Sequence, residues 1–188
     1  GNIAYNLALL GEDPLVMATV GDDIDPYLSR FQGLKLDTGL MMRIPGQFTA
    51  QGFITTDLDN NQITNFHPGA MNFSHQNSIS ARLGAGLAII APDGKLGMAQ
   101  HARECSEHGI PFMFDPGQGL PMFSGEELNE FIRLADYLAV NDYEGKLLQE
   151  KTGRSLDEIA RDLKALVYTR GAEGSTILAG GQRHEIAC

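Results

Sequence analysis

Residues 137–151 read YLAVNDYEGKLLQEK. The first four residues are apolar and suit a buried strand, whereas Tyr143 to Lys151 carry apolar residues at helical spacing. The strand therefore passes directly into a helix, with Asn141 and Glu144 in the first helical turn. Free backbone N–H groups and the helix dipole favour negative charge at such a turn. This segment predicts a strand–helix unit of an α/β protein whose helix start can face a ligand.

Short apolar runs alternate with helical segments from residue 87 to residue 169. The predicted strands are 87–91, 111–114, 137–140 and 166–169, and the predicted helices are 97–108, 126–135, 143–151 and 156–163. Such an alternation is typical of βαβ units and indicates a mostly parallel sheet. Two of the helix starts fit the S-x-x-E capping box, Ser124 with Glu127 and Ser155 with Glu158.

The first third of the chain has a different pattern of predicted helices and strands. Residues 3–10 suit a helix that stops at Gly11, and residues 15–20 suit a buried strand. Residues 47–57 and 62–66 are rich in Thr and Phe and predict a β-hairpin joined across residues 59–61. We therefore expect a doubly wound, mostly parallel α/β sheet flanked by helices, with a small β-sheet lid over about residues 41–67. Ligands of such sheets bind beyond the carboxyl ends of the parallel strands.

Composition narrows the class of protein. A chain of 188 residues with 43% hydrophobic content suits one domain, which we assign to residues 1–188. The net charge of -10 argues against nucleic acid as a partner, and no apolar run is long enough to cross a membrane. Because the start also lacks a signal-peptide pattern, we expect a soluble, cytoplasmic protein. The two cysteines and five histidines show no disulfide or metal-binding spacing.

Three loops at predicted strand ends carry candidate ligand-binding residues. Asn141 and Glu144 could face a bound anion or a hydrated magnesium–phosphate group, but the same spacing describes a plain helix cap. The loop 169–174, Thr-Arg-Gly-Ala-Glu-Gly, allows close backbone approach to a phosphate or a base, or simply forms a tight turn. The loop 115–119 offers the Asp115 carboxylate, although a structural loop is the favoured interpretation there.

The order of these motifs along the chain resembles that of the ribokinase-like, or PfkB, family of carbohydrate and nucleoside kinases. Competing α/β folds do not require the early hairpin. The resemblance covers essentially the whole chain and is carried by five segments, namely residues 1–11, 20–23, 66–71, 141–144 and 169–174. The amino-acid sequences of the hairpin and of residues 114–118 resemble those of bacterial adenosine kinases or broad-range nucleoside kinases.

The resemblance implies transfer of the ATP γ-phosphoryl group to a primary hydroxyl of a nucleoside, with adenosine favoured, assisted by Mg²⁺. It assigns sugar binding to Asn2 and places Thr49, Gln51 and Phe53, which period-2 alternation puts on one hairpin face, in the lid over the substrate. It assigns metal binding to Glu144, and it assigns the ordering of the phosphates to Asn141 and Glu144 together. It assigns the ATP-binding loop to the residues Thr169, Gly171 and Gly174.

The match is incomplete at both ends. Members of the family are longer, and the segment with the general-base aspartate and its anion hole is expected after Cys188. A first strand with a substrate-binding aspartate is expected before Gly1. The resemblance thus describes one incomplete domain, without a catalytic residue of its own.

Other functions remain open on the sequence. Within the same family the chain could belong to a ribokinase or another sugar kinase, and competition of adenosine against ribose in a thermal-shift assay would separate these. A non-catalytic ligand-binding module would keep the fold without the base. A Rossmann oxidoreductase is not supported, because no G-x-G-x-x-G follows a first strand. The apolar residues of the hairpin also suggest a homodimer formed through the lid.

The missing base gives a direct prediction about the 188 residues by themselves. Without a group to take the proton from the hydroxyl, we expect them to release no ADP from ATP in a coupled assay with adenosine. Turnover by a chain whose length has been verified by mass spectrometry would contradict this expectation.

Overall fold

A computed structural model describes residues 1–79 and 84–188 of the chain. The backbone forms two compact units, Gly1–Asn77 and Ser78–Cys188. Among the described strands, the first unit contains two separate pairs and the second contains one larger sheet. No helix within these two described ranges is long and apolar enough to cross a membrane.

The first unit begins with a small α/β arrangement. Helix α1 (Asn2–Leu9) is followed by β1 (Leu15–Val20), α2 (Asp25–Gly33) and β2 (Asp37–Arg43). Strands β1 and β2 are parallel neighbours, and Ala4, Phe31 and Leu36 form a small core beside them. Gly11 has a φ of +89°, a conformation that glycine adopts without strain, so the predicted end of the first helix is confirmed.

The predicted hairpin is confirmed, but it is shorter than expected. Strands β3 (Gln51–Thr56) and β4 (Gln62–His67) pair in antiparallel fashion and form a two-stranded ribbon. The prediction that the first strand starts at Gln47 is wrong. Residues 47–50 do not pair with β4, because their backbone groups bond to other segments: Gln47 O accepts from Asp22 N, and Phe48 O accepts from Ala70 N. Residues 41–43, at the start of the predicted lid, lie in β2.

The second unit is built on a six-stranded sheet. Its strands are β5 (Ala88–Ile90), β6 (Phe112–Phe114), β7 (Tyr137–Asn141), β8 (Ala165–Thr169), β9 (Ser175–Ala179) and β10 (Gln182–Ile186). Their order in space is β10-β9-β8-β7-β6-β5. Strands β5 to β8 are parallel, while β9 and β10 add an antiparallel edge. The predicted, mostly parallel sheet is therefore confirmed.

The antiparallel edge differs from the sequence prediction. The alternation of apolar runs predicts no strand after residue 169, whereas the structure contains β9 over Ser175–Ala179 and β10 over Gln182–Ile186. The two strands are joined by Gly180 and Gly181, whose φ angles are +57° and +75°. A two-residue Gly-Gly connection with positive φ at both positions is a strong hairpin signal, and it could have located both strands.

Helices pack on this sheet and enclose its core. They are α3 (Lys95–Glu107), α4 (Gly125–Leu134), α5 (Asp142–Thr152) and α6 (Leu156–Ala160). Phe112, Phe114, Leu138 and Leu166 on the strands are fully buried, and the ring of Phe114 stacks on Phe131 of α4 with centroids 4.3 Å apart. Such close packing fixes the strand ends, which are the places where ligand-binding loops begin.

Both predicted capping boxes are present and lead to a stability prediction. Ser124 Oγ accepts from Glu127 N, and the Glu127 carboxylate accepts from Ser124 N. Replacing Ser124→Ala should lower the free energy of unfolding by about 1 kcal/mol, because a backbone donor of α4 loses its acceptor. Urea denaturation followed by circular dichroism measures the change. Ser106→Ala, on the exposed side of α3, is the control that should leave stability nearly unchanged; equal effects of the two substitutions would contradict the capping role.

Candidate functional site

The junction between β7 and α5 forms a complete capping box. Asn141 Oδ1 accepts from Glu144 N at 2.8 Å. In return, the Glu144 carboxylate accepts from Asn141 N at 2.9 Å and from Asn141 Nδ2 at 2.8 Å. The helix-cap interpretation of this motif is therefore correct as a description of the structure. It does not exclude ligand binding, because each carboxylate oxygen of Glu144 keeps a lone pair for a cation.

Asn141 and Glu144 line an open cleft of about 330 Å³. One wall is the start of α5, including Tyr143 and Leu147, and the other is the 3-10 helix Gly117–Met122 that follows β6. The cleft thus lies beyond the carboxyl ends of two adjacent parallel strands, where α/β sheets bind their ligands. Its lining residues are Gly117, Gln118, Leu120, Pro121, Asn141, Tyr143, Glu144 and Leu147.

Asp115, directly after β6, adds a second carboxylate near this cleft. Partial burial raises the pKa of its side chain, and the negative charge of Glu144 raises it further. The two carboxylates are therefore close enough to repel each other, which a bound cation would relieve. Oxygen ligands of this kind suit Mg²⁺, so the residues present fit a magnesium ion. The interpretation of residues 115–119 as a structural loop stays a prediction.

The loop after β8 lies beside the same junction. Asn141 and Thr169 are direct partners in the parallel pairing of β7 and β8, so the two predicted ligand loops leave the sheet side by side. Gly171 has a φ of +55°, and a Cβ built on it would meet no atom within 4 Å. The loop therefore presents an open backbone surface at Gly171, as a phosphate or nucleotide cradle requires.

The second glycine of this loop has a packing role. A Cβ on Gly174 would lie 2.0 Å from the carbonyl oxygen of Ile186, so glycine is required there by the approach of β10. The neighbouring Arg170, whose role the sequence leaves open, donates from Nη2 to Glu185 Oε2 at 2.7 Å. The same oxygen accepts from the Thr176 hydroxyl at 2.8 Å. These contacts hold the loop against the antiparallel edge of the sheet.

The candidate substrate-binding residues of the first unit fall into two groups. Thr49 and Gln51 come together, because both donate hydrogen bonds to the carboxylate of Asp23. Phe53, two residues along β3, is 58% exposed. Asn2 is the first residue of α1 and is exposed, and within residues 1–79 no side-chain hydrogen bond joins it to Thr49 or Gln51. Asp23 lies in one of the segments that carry the family resemblance, but the sequence suggests no role for it.

Comparison with known proteins identifies the family and confirms the fold. Residues 1–188 match the model of the pfkB family carbohydrate kinases. A nucleoside kinase of Burkholderia thailandensis, solved in complex with inosine, is 51% identical; its structure matches with a TM-score of 0.96 over 100% of this chain and 62% of the other. The nucleoside kinase of Methanocaldococcus jannaschii is 29% identical over 196 residues, covering 100% of this chain and 62% of that protein. The solved structure of the latter protein, a member of the ribokinase family, matches with a TM-score of 0.93. The predicted ribokinase-like fold is confirmed, and the chain spans about 62% of the length of these relatives.

The raised pKa of Asp115, caused by its burial and then by the charge of Glu144, predicts how stability depends on pH. A carboxyl group whose pKa is higher in the folded state holds its proton more tightly there, so its contribution to stability falls as pH rises from the unfolded pKa to the folded one. Asp115→Asn cannot ionise, so it avoids this loss of stability. The ligand-free variant should therefore be more stable than wild type at neutral pH, and the difference in stability between the two proteins should shrink toward pH 4. Thermal unfolding of the two proteins between pH 4 and pH 8 measures it. An Asp115→Asn protein that is less stable than wild type at neutral pH would show that the ionised Asp115 carboxylate does not destabilise the folded state.

Proposed function

Since the chain belongs to the pfkB family of carbohydrate kinases, we propose that the whole protein transfers the γ-phosphoryl group of ATP to the primary hydroxyl of a purine nucleoside, with adenosine favoured. The observation that supports this most directly is the pairing of Asn141 with Thr169. This pairing brings the cleft that contains the Glu144 carboxylate, which suits a metal–phosphate group, next to a glycine loop that suits a nucleotide. The nucleoside kinases among the relatives support the choice of acceptor.

The donor side of the reaction falls to the second unit. Glu144 would hold Mg²⁺, with Asp115 as a second carboxylate and Asn141 ordering the phosphates. When bound, the metal ion would neutralise the phosphate oxygens during transfer. The backbone around Gly171 would cradle the nucleotide, between Thr169 and Gly174. A structure of the Burkholderia thailandensis enzyme in complex with ADP-inosine supports a site that accepts both a nucleotide and a nucleoside in that relative.

The acceptor side falls to the first unit. Asn2 would bind the sugar hydroxyls, while Thr49, Gln51 and Phe53 belong to the lid. The exposed ring of Phe53 favours a purine over a bare sugar, because an aromatic face stacks on a planar base. The opposite face of the ribbon, with Ile54 and Phe66, would be covered in a homodimer, which stays a prediction. The residues named in the two units would bind and position the reactants.

The role of Glu144 can be tested without losing the helix cap. Gln also completes a capping box, because its Oε1 can still accept from Asn141 N. Glu144→Gln should therefore fold, while it loses the hydrogen bond from Asn141 Nδ2 and the charge that would hold the metal. In the whole protein we expect kcat with adenosine to fall by about 10²–10³-fold, the effect of losing one electrostatic contact to the reacting group. A coupled ADP-release assay with adenosine, inosine and ribose measures this and ranks the acceptors.

A matched control exists in the same chain. Glu158 occupies the same capping position in α6, where it accepts hydrogen bonds from Ser155, so Glu158→Gln should leave kcat unchanged. Wild-type activity of Glu144→Gln would contradict the proposed role of Glu144 in metal binding. Phosphorylation of ribose but of no nucleoside would show that the protein is a sugar kinase and not a nucleoside kinase.

A further inference from the structure

Asp23, in the turn after β1, is the hydrogen-bond acceptor around which the start of the ribbon is organised. Its Oδ1 accepts from Thr49 N and from Thr49 Oγ1, both at 2.7 Å, and its Oδ2 accepts from Gln51 Nε2 at 2.9 Å. These bonds, led by the one from the Thr49 backbone, lower the pKa of the Asp23 carboxyl. The group is therefore ionised at neutral pH, and an ionised carboxylate can only accept hydrogen bonds.

This arrangement fixes the orientation of the Gln51 amide. The amide nitrogen must face Asp23, since the reversed orientation would place the carbonyl oxygen of Gln51 against a negatively charged oxygen. Oε1 consequently faces away from Asp23, and within residues 1–79 it receives no hydrogen bond from the protein. Gln51 thus has an acceptor that a ligand can use.

The backbone that carries Gln51 is held equally firmly. Gly21 N donates to Thr49 Oγ1 at 2.9 Å, and a Cβ on Gly21 would lie 2.3 Å from the carbonyl oxygen of Gln47. On the other side, Ala70 N donates to Phe48 O at 2.8 Å. The segment 46–50 is therefore held by hydrogen bonds to residues 21–23 and to Ala70 before it enters β3. Such preorganisation lets a single polar group discriminate between ligands, because little motion is left to absorb a mismatch.

The ribbon face around Gln51 suits a planar, donor-bearing ring. Pairing in β3–β4 places Gln51 opposite His67 and Phe53 opposite Asn65, and these four side chains share one face by the period-2 rule. The aromatic ring of Phe53 thus follows the Gln51 acceptor on the same face of the strand. A purine stacked on that ring would bring its edge toward the amide.

We propose that Gln51 is a specificity-determining acceptor for an N–H or O–H donor of the nucleoside, and that Asp23 is the positioning residue that holds Gln51 in this orientation. The proposal rests on the proposed nucleoside kinase function and names the group that selects the substrate. The donor is either an N–H on the six-membered ring of the base or a hydroxyl of the ribose. The position of Phe53 favours the base.

The test compares nucleosides that differ by one donor, using the whole protein and its Asp23→Asn and Gln51→Leu variants. Inosine carries a ring N–H, adenosine carries an amino group and purine riboside has neither, while 2′- and 3′-deoxyadenosine each lack one hydroxyl. For wild type we expect kcat/KM to fall by about tenfold when the recognised donor is removed, the effect of one hydrogen bond. In both variants this discrimination should disappear through a higher KM for the donor-bearing substrate, with kcat little changed. Loss of discrimination against purine riboside identifies the base, and loss against a deoxynucleoside identifies the ribose.

Asp22→Asn is the matched control. Asp22 lies in the same turn and accepts from Gly46 N at 2.8 Å, but within residues 1–79 no hydrogen bond joins it to Gln51. It should keep the discrimination of wild type, whereas an equal loss in Asp22→Asn would reduce Asp23 to a structural role. Wild-type discrimination in both Asp23→Asn and Gln51→Leu would overturn the inference while leaving the kinase intact. A wild-type protein that neither binds nor phosphorylates any nucleoside would overturn the proposed function and this inference with it.

Discussion

The parallel pairing of β7 with β8 is the constraint on which the candidate site depends. Because Asn141 and Thr169 are partners in this pairing, the loops that follow them leave the sheet at the same edge. The register is held by the core, where Leu138 and Leu166 are fully buried. A shift by one residue would bring these side chains to the opposite face of the sheet, so a change in register is excluded by the same burial that stabilises the unit. The position of the site is thus a consequence of core packing.

Much of this arrangement follows from local sequence patterns. The strands β5 to β8, the helices between them and both Ser-based capping boxes carry signals within a few residues of each other, and all are confirmed. The errors come where a segment bonds to distant parts of the chain. Residues 47–50 look like strand by composition, yet their backbone groups bond to residues 22–23 and 70. The turn at Gly180 and Gly181 did carry a local signal, and recognising it would have located β9 and β10.

The candidate site also combines residues that local sequence patterns predict with residues whose environment depends on distant parts of the chain. Asn141, Glu144 and the glycine loop belong to motifs that a single stretch of sequence contains. The interest of Asp23 and Asp115 comes instead from groups far along the chain. Asp23 accepts hydrogen bonds from Thr49 and Gln51, and the pKa of Asp115 is raised by its burial and by the charge of Glu144. A lone aspartate after a strand is too common to assign a role, because loops use it to bond their own backbone. Its electrostatic environment, which depends on folding, distinguishes it.

Glu144 also shows why a structural and a functional interpretation of one motif need not compete. Its carboxylate is oriented by two hydrogen bonds from Asn141, so the cap holds the charged group at the edge of the cleft. A freely rotating glutamate would lose side-chain entropy on binding a cation, whereas one fixed by the helix start has already lost it. The Asp115 carboxyl interacts electrostatically with Glu144, so a cation bound by Glu144 would also reduce the repulsion between these two groups. The motif therefore fixes the helix start and, through the same contacts, orients the carboxylate that we propose as the metal ligand.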